Sequence, residues 1–140
     1  MELSRLGDMV THRRGLASDY AERGMGWAEV PTDEVCVDLR LKADVALLNA
    51  AVDLGVSPPP LRWFGEATSM DRIAFKAPPL DGSYRDGAIW INDAVGDVVR
   101  VVAHEVWHAK HGEVEELIAG AEERAAQKYG EAASARWHSQ

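Results

Sequence analysis

The sequence predicts an α+β fold with a small sheet. Hydrophobic residues recur at helical spacing between residues 33 and 55 and again after residue 92, which is the pattern of helices with one buried face. Between these regions lie three short segments that are rich in aromatic or β-branched residues and bounded by turn residues, as strands are. With 140 residues, the chain is long enough for one domain and leaves little room for two. The expected order of elements is therefore helix, three strands, helix, helix.

The predicted domain covers residues 33–140. Residues 1–32 form an N-terminal arm in this prediction, because they are rich in Gly, Arg and Asp and show little hydrophobic periodicity. We expect a short helix around residues 2–10 and extended chain after it.

The first helix of the domain is predicted to run for about five turns. It should end at Gly55, beyond which the prolines at 58–60 prevent its continuation. Its apolar side chains form one stripe, which is expected to be the buried face. The stripe consists of Val37, Leu41, Val45, Leu48 and Val52, widened by Leu39, Leu47 and Leu54.

The three strands are expected at residues 61–67, 72–76 and 88–92. Residues 69–71 should close a hairpin between the first two strands, and a loop at 77–87 with two Pro and two Gly should lead to the third. The sheet is therefore expected to be three-stranded and mainly antiparallel, with 88–92 as an exposed edge strand.

Charge and composition exclude several classes of partner. A net charge of −8 argues against binding to nucleic acid, whose phosphates require Lys and Arg. No apolar stretch reaches the roughly 18 residues that a membrane span needs. The first twenty residues lack the apolar segment of a signal peptide, and the single cysteine, Cys36, cannot form an internal disulfide. We therefore expect a cytoplasmic protein that contacts neither nucleic acid nor membrane.

Residues 101–112 carry the most informative motif, VVAHEVWHAKHG. They fall in a helix predicted at residues 98–111, with Asp97 as its N-cap and Gly112 as its end. His104 and His108 are four residues apart and so lie on one face, where two imidazoles can bind one Zn²⁺ at about 2.0–2.1 Å. Glu105 follows the first histidine and can act as general base toward a water bound to the metal.

A catalytic zinc ion needs a third protein ligand and an open position. His111 is expected about 10 Å from His104 along the helix, which is too far, and to complement the helix dipole instead. The final helix, predicted at residues 113–134, offers carboxylates. Glu123 lies in a stripe of small residues that would let the helix approach another backbone closely, whereas Glu122 borders the expected core stripe and remains an alternative. The small-residue stripe holds Ala119, Glu123, Ala126 and Gly130, and the expected core stripe holds Val114, Ile118, Ala121, Ala125 and Tyr129.

Residues 123–130 resemble the glutamate helix of gluzincins, which has the pattern E-x-x-A-[D/N]-x-x-[A/G]. Together with HEVWH, this segment makes residues 61–131 similar to the ImmA/IrrE-like peptidases and the minimal gluzincins. Gln127 departs from the pattern, since it stands where these families have Asp or Asn to orient a histidine ligand. The resemblance implies a minimal zincin fold, in which a helix backs the sheet and the HExxH helix precedes the glutamate helix. It also implies His104, His108 and Glu123 as zinc ligands.

The resulting hypothesis is a zinc-dependent endopeptidase that acts on a peptide or protein substrate. Zinc would polarise the scissile carbonyl, and Glu105 would take the proton of the attacking water and pass it to the leaving amine. Tyr84, Arg85 and Tyr129 are equal candidates for stabilising the oxyanion.

Two other hypotheses compete with this one. A non-catalytic regulatory or interaction module could retain a zincin fold and its zinc site, although such a module has no use for Glu105. The second hypothesis is a structural zinc site whose remaining position is closed by a terminal group such as His138. In that case the C-terminal tail would have to reach the metal. The sequence leaves the oligomeric state open.

Overall fold

A computed structural model describes residues 27–66, 74–75, 81–112 and 116–140 and shows an α+β fold. Within these residues, three α-helices and a mixed β-sheet enclose the main hydrophobic core. The helix predicted around residues 2–10 lies outside the described residues. None of the helices in the described part of the chain is long and apolar enough to cross a membrane.

The helices begin and end close to where local signals placed them. Helix α1 spans Val37–Leu54, and Gly55 ends it in the left-handed conformation with φ 71°, where glycine carries no Cβ penalty. Helix α2 spans Val98–His111, and the Asp97 side chain accepts a hydrogen bond from the backbone N–H of Arg100. Both predictions are confirmed. Helix α3 spans Glu116–His138, one turn beyond the predicted end.

The sheet has five strands in the described residues, in the order β3-β1-β2-β5-β4. Strands β2 and β5 pair in parallel, and the other three pairings are antiparallel, so the expectation of a mainly antiparallel sheet is confirmed. The strands are β1 (Trp27–Val30), β2 (Leu61–Glu66), β3 (Ala74–Phe75), β4 (Gly82–Arg85) and β5 (Ala88–Asn92).

The prediction of three strands is wrong, because the sheet also contains β1 and β4. Strand β1 lies in the stretch that the sequence predicts as an arm, and its four residues are too few to produce a visible alternation. Strand β4 lies in the predicted loop at 77–87. Its signal in the sequence is the pair Asp86-Gly87, because Asp-Gly is favoured in two-residue hairpin turns. Both residues have positive φ and form the turn between β4 and β5.

The predicted partners of two strands are also wrong. Strand β1 lies between β2 and β3, so the expected hairpin between residues 61–67 and 72–76 does not form. Strand β5 is not an edge, because β2 pairs with one side of it and β4 with the other. A strand's local pattern shows that it is a strand, whereas its neighbours depend on residues far away in the sequence. The edge strand on this side of the described sheet is β4.

Strand β5 is buried along its whole length, as parallel-paired strands often are. Ile89 and Ile91 are fully buried in the main core together with Trp63 of β2. Trp90 faces the other side of the sheet, where the guanidinium of Arg62 lies 4.7 Å from its ring centroid.

Helix α1 buries the face opposite to the predicted one. The predicted stripe is exposed, although Leu47 at its margin is buried. Helix α1 packs against α2 through small side chains, which allow a close approach of the two helices. The periodicity of the sequence identified the stripe of large side chains, but the face of α1 that contacts α2 is the one with the alanines. The buried residues are Ala43, Ala46, Leu47, Ala50 and Ala51, and the exposed ones are Val37 (57%), Leu41 (57%), Val45 (44%), Leu48 (54%) and Val52 (82%).

Helices α2 and α3 cross at the small residues of α3, as the sequence predicts. Ala126 is completely buried. A Cβ atom on Gly130 would lie 2.7 Å from the backbone oxygen of Arg100 and 3.3 Å from the Cβ atom of His104. The other stripe of α3 is not the core face throughout, because Ala121 is exposed and Tyr129 only half-buried.

The Gly130→Ala substitution should destabilise the protein, although alanine normally favours a helix interior. The new methyl group would overlap a backbone oxygen that cannot rotate away, so the helices must separate, at a cost of about 1–3 kcal/mol. Urea unfolding followed by circular dichroism would measure this cost. Gly120→Ala is the matched control, since the exposed Gly120 has only the flexible end of Arg124 within reach. It should stabilise α3 by up to about 1 kcal/mol. Equal effects of the two substitutions would contradict the close crossing.

Candidate metal centre

The buried apolar side of α2 determines the direction in which its two histidines point. Val102 and Val106 are fully buried in the main core, which fixes the rotation of the helix about its axis. His104 and Glu105 follow Val102 closely and are also buried, at 9% and 8% exposure. His108, one turn later, is half-buried and lies nearer the surface. The polar side chains of α2 thus extend from the buried His104 and Glu105 to His108 near the protein surface.

Helix α3 supplies the carboxylate. Glu123 lies three residues before Ala126 and seven before Gly130, so all three share one helix face. Because Ala126 and Gly130 are the residues pressed against α2, Glu123 also faces α2. Its side chain is 49% exposed, whereas that of His104 is 11% exposed.

The three side chains converge on one point. Nε2 of His104 lies 3.2 Å from Nε2 of His108. The two carboxylate oxygens of Glu123 lie 3.1 Å from His104 Nε2 and 2.9 Å from His108 Nε2. Two ligands of a tetrahedral zinc ion, each about 2.05 Å from the metal, are about 3.3 Å apart. The spacing of the two imidazole nitrogens is therefore close to what a zinc ion requires, and each nitrogen has one oxygen of Glu123 within about the same distance.

The chemistry of the donors also fits a zinc ion. Two imidazole nitrogens and a carboxylate form a ligand set typical of catalytic zinc. Burial lowers the pKa of His104, an effect that the nearby Glu123 carboxylate opposes. A lowered pKa favours the neutral imidazole, which is the form that binds metal. Among the described residues, the group consists of these three side chains.

Glu105 lies beside this group without belonging to it. Burial, and then the charge of Glu123, raises the pKa of Glu105 to about 7. The backbone N–H of Tyr84 in β4 donates a hydrogen bond to the Glu105 carboxylate and lowers the pKa in part. The result is a buried carboxyl group that can gain or lose a proton near neutral pH.

An open cleft of about 960 Å³ gives access to the three donors and to Glu105. Strand β4 contributes Gly82–Arg85 to its lining, and α3 contributes Glu122, Glu123 and Gln127. A Cβ atom on Gly82 would lie 2.5 Å from the Val101 side chain, so β4 lies directly on α2. This contact brings the Tyr84 backbone within reach of Glu105.

The remaining sequence candidates lie away from the three donors. Nδ1 of His111 lies 2.9 Å from the Trp107 carbonyl oxygen, at the end of α2 where a histidine is expected to complement the dipole. His138 belongs to the last turn of α3 and contacts Ser134, so it is not part of a tail that reaches the site. Glu122 lines the cleft, but it contributes no atom to the donor group.

The three candidates for stabilising an oxyanion lie in different surroundings. The Tyr129 hydroxyl donates a 2.7 Å hydrogen bond to Asp53 of α1, and burial raises the pKa of Tyr129. Tyr84 and Arg85 both line the cleft. The sequence does not identify the Tyr84 backbone N–H as a partner of Glu105, because this contact depends on β4.

Comparison of the chain with protein-family models, with curated proteins and with solved structures gave no significant match. The assignment of this site therefore rests on its geometry and chemistry.

Zinc binding should depend on Glu123 and not on Glu122, because only Glu123 reaches the two histidines. Glu123→Ala should weaken zinc affinity by more than the roughly 10–100-fold that loss of an outer-shell partner costs. Glu122→Ala, which changes the adjacent residue, should leave zinc binding nearly intact. Competition with a fluorescent chelator would measure both affinities, and His108→Ala serves as the positive control for loss of a ligand. A stronger effect of Glu122→Ala would contradict the proposed third ligand.

The raised pKa of Glu105 predicts how pH acts on protein stripped of metal. The pKa is about 7 in the folded chain, compared with an ordinary value of 4.5 for this carboxyl group, so the folded state binds the proton more tightly than the unfolded state. Ionised Glu105 therefore destabilises the fold, and this loss develops between pH 4.5 and 7 and is complete above pH 7.

Glu105→Gln should consequently raise the melting temperature of EDTA-treated protein at pH 8. The gain over wild type should shrink at pH 5, where the native carboxyl is mostly protonated. Differential scanning calorimetry would record both values, with Glu131→Gln, an exposed site on α3, as the control for loss of one charge. A gain that is the same at both pH values would contradict the assignment.

Proposed function

We propose that this protein is a zinc-dependent endopeptidase of the zincin type. The observation that carries the proposal is the convergence of His104, His108 and Glu123 within 4.8 Å of one another, with the buried Glu105 beside them in an open cleft. A zinc ion held by these three residues would supply Lewis acidity for the scissile carbonyl and would acidify water to a pKa of about 7.

Glu105 is the proposed general base. A base is most effective when its pKa lies near the working pH, because it must both accept and release a proton. Burial raises the pKa of Glu105 to about 7, and the Tyr84 N–H holds one side of the carboxylate. We expect Glu105 to take the proton of the attacking water and to deliver it to the amine that leaves.

Strand β4 is the proposed binding surface for the substrate backbone. It is the edge of the described sheet next to β5 and lines the cleft. An extended peptide can add to such an edge through main-chain hydrogen bonds. The sequence predicts residues 88–92 as the exposed edge strand, but β5 is paired on both sides, so β4 is the strand proposed for this role. The Tyr84 N–H points to Glu105, so a peptide paired with β4 would lie beside the proposed base.

The alternatives are less well supported. A closed structural zinc site would need a fourth protein ligand, and none joins the group in the described residues. A non-catalytic module would have no use for a buried carboxyl group whose ionised form destabilises the fold.

Glu105→Gln separates an enzyme from a binding module. The amide is isosteric and does not belong to the ligand group, so the variant should keep zinc and fold. It should lose hydrolysis by about 10²–10⁴-fold, because an amide cannot relay the proton. A broad peptide library, read by mass spectrometry, would compare wild type with the variant.

Glu122→Gln is the matched control, since it removes an adjacent cleft carboxylate and should retain activity. Chelation by EDTA should abolish cleavage, and zinc should restore it. Equal cleavage by wild type and Glu105→Gln would point to a contaminating protease. A zinc-loaded wild type that cleaves nothing in the library would favour the binding module.

A further inference from the structure

The predicted core stripe of α1 is the largest feature that the proposed activity leaves unexplained. This stripe, defined as Val37, Leu41, Val45, Leu48 and Val52, is exposed along the length of the helix. The buried face of the same helix consists mainly of alanine. A helix that is apolar on both faces is usually buried on both. The outward position of the larger side chains therefore indicates a surface that is covered in the working molecule.

The stripe has the spacing and composition of a two-stranded helix pair. Leu41, Val45, Leu48 and Val52 are separated by four, three and four residues, as the d and a positions of a heptad are. The preceding a position holds Asp38, so the apolar seam begins at Leu41. Valine stands at both a positions and leucine at both d positions, and β-branched residues at a with leucine at d favour two strands over three or four. This choice of residues points to a second, similar helix.

The charges beside the stripe do not oppose a pair of identical copies. The positions that flank the seam hold Lys42, Asp44, Asn49 and Ala51, which are one positive, one negative and two uncharged residues. Most of the surface would repel another copy, since the net charge of the chain is −8. With Lys42 as the one basic residue among these flanking positions, an anionic membrane is a poor partner for the stripe, because such a membrane attracts helices whose flanks are rich in Lys and Arg.

The shape and area of the surface are also suited to self-association. Leu48 lines a groove of about 470 Å³ together with the prolines at 58–60 and with Leu61. The groove is also lined by Thr32, Arg40 and Asp44. A ridge of valines and leucines beside such a groove can pack against its own copy about a two-fold axis. The exposed stripe amounts to roughly 500 Å² in one chain, a large patch for a monomer. Two copies would bury about 1,000 Å² from the stripe alone, which reaches the lower limit of specific interfaces.

We propose that two copies of this chain form a homodimer through the α1 stripe. Helix α1 then lies between α2 of its own chain on one face and the partner's α1 on the other. The interface is separate from the cleft, so the proposal does not depend on the peptidase assignment.

Analytical ultracentrifugation of the full chain tests the proposal. Wild type should approach twice the chain mass of 15.3 kDa as its concentration rises to about 100 µM. The double substitution Leu41→Glu and Val45→Glu should raise the dissociation constant more than about tenfold, because central interface side chains dominate affinity. Ala132→Glu with Ala135→Glu, two positions on α3 outside the stripe, is the matched control and should leave the dimer intact.

A second measurement protects the test from misfolded variants. The melting temperature of a dimer rises with protein concentration, so wild type should show this dependence. Val52→Glu should weaken it without harming the fold, since Val52 is 82% exposed. A wild type that remains monomeric would overturn the proposal and would leave residues 1–26 or another protein to cover the stripe. A folded double variant that still dimerises as wild type does would overturn it as well.

Discussion

The close crossing of α2 and α3 is the contact on which the rest of the site depends. Gly130 lies so near the Arg100 backbone that no side chain fits between the helices, and Ala126 is fully buried beside it. This spacing carries Glu123 to the two histidines, because Glu123 shares the helix face of the small residues. A bulkier contact would separate the two helices and move the carboxylate away from the imidazoles. These small side chains thus matter more because they allow the close approach of the two helices than because they bury apolar surface.

The site is built at the expense of local stability. His104 and Glu105 are buried among valines on a helix that otherwise supplies the core. Burial of ionisable groups is unfavourable unless partners compensate for the lost water. The Tyr84 N–H compensates Glu105 only in part, and the pKa of Glu105 remains near 7. The same loss of hydration makes the carboxyl responsive at neutral pH, so the destabilising feature is also the one that suits a general base.

The sheet contributes to the cleft through β4, a short strand that lies in the segment predicted from the sequence as a loop. Strand β5 is buried on both faces and anchors the sheet beneath α2. Strand β4 is attached to it by a two-residue turn and lies directly on α2 at Gly82. The edge of the sheet therefore forms part of the lining of the cleft, where the Tyr84 backbone donates a hydrogen bond to Glu105. Helix α1 supports this arrangement from the other side of α2, through alanines that let it approach closely.

Local chemistry determined what the sequence by itself could establish. The limits of α1 and α2 follow from Gly55, Asp97 and the apolar periodicity, because caps and helical spacing act within one or two turns. The pairing of His104 with His108 follows from the same geometry. Only the tertiary structure decided which face of α1 is buried, which strands are neighbours and which acidic residue of α3 reaches the histidines. Each of these depends on contacts between segments far apart in the chain, where burial and close packing outweigh the pattern of any single segment.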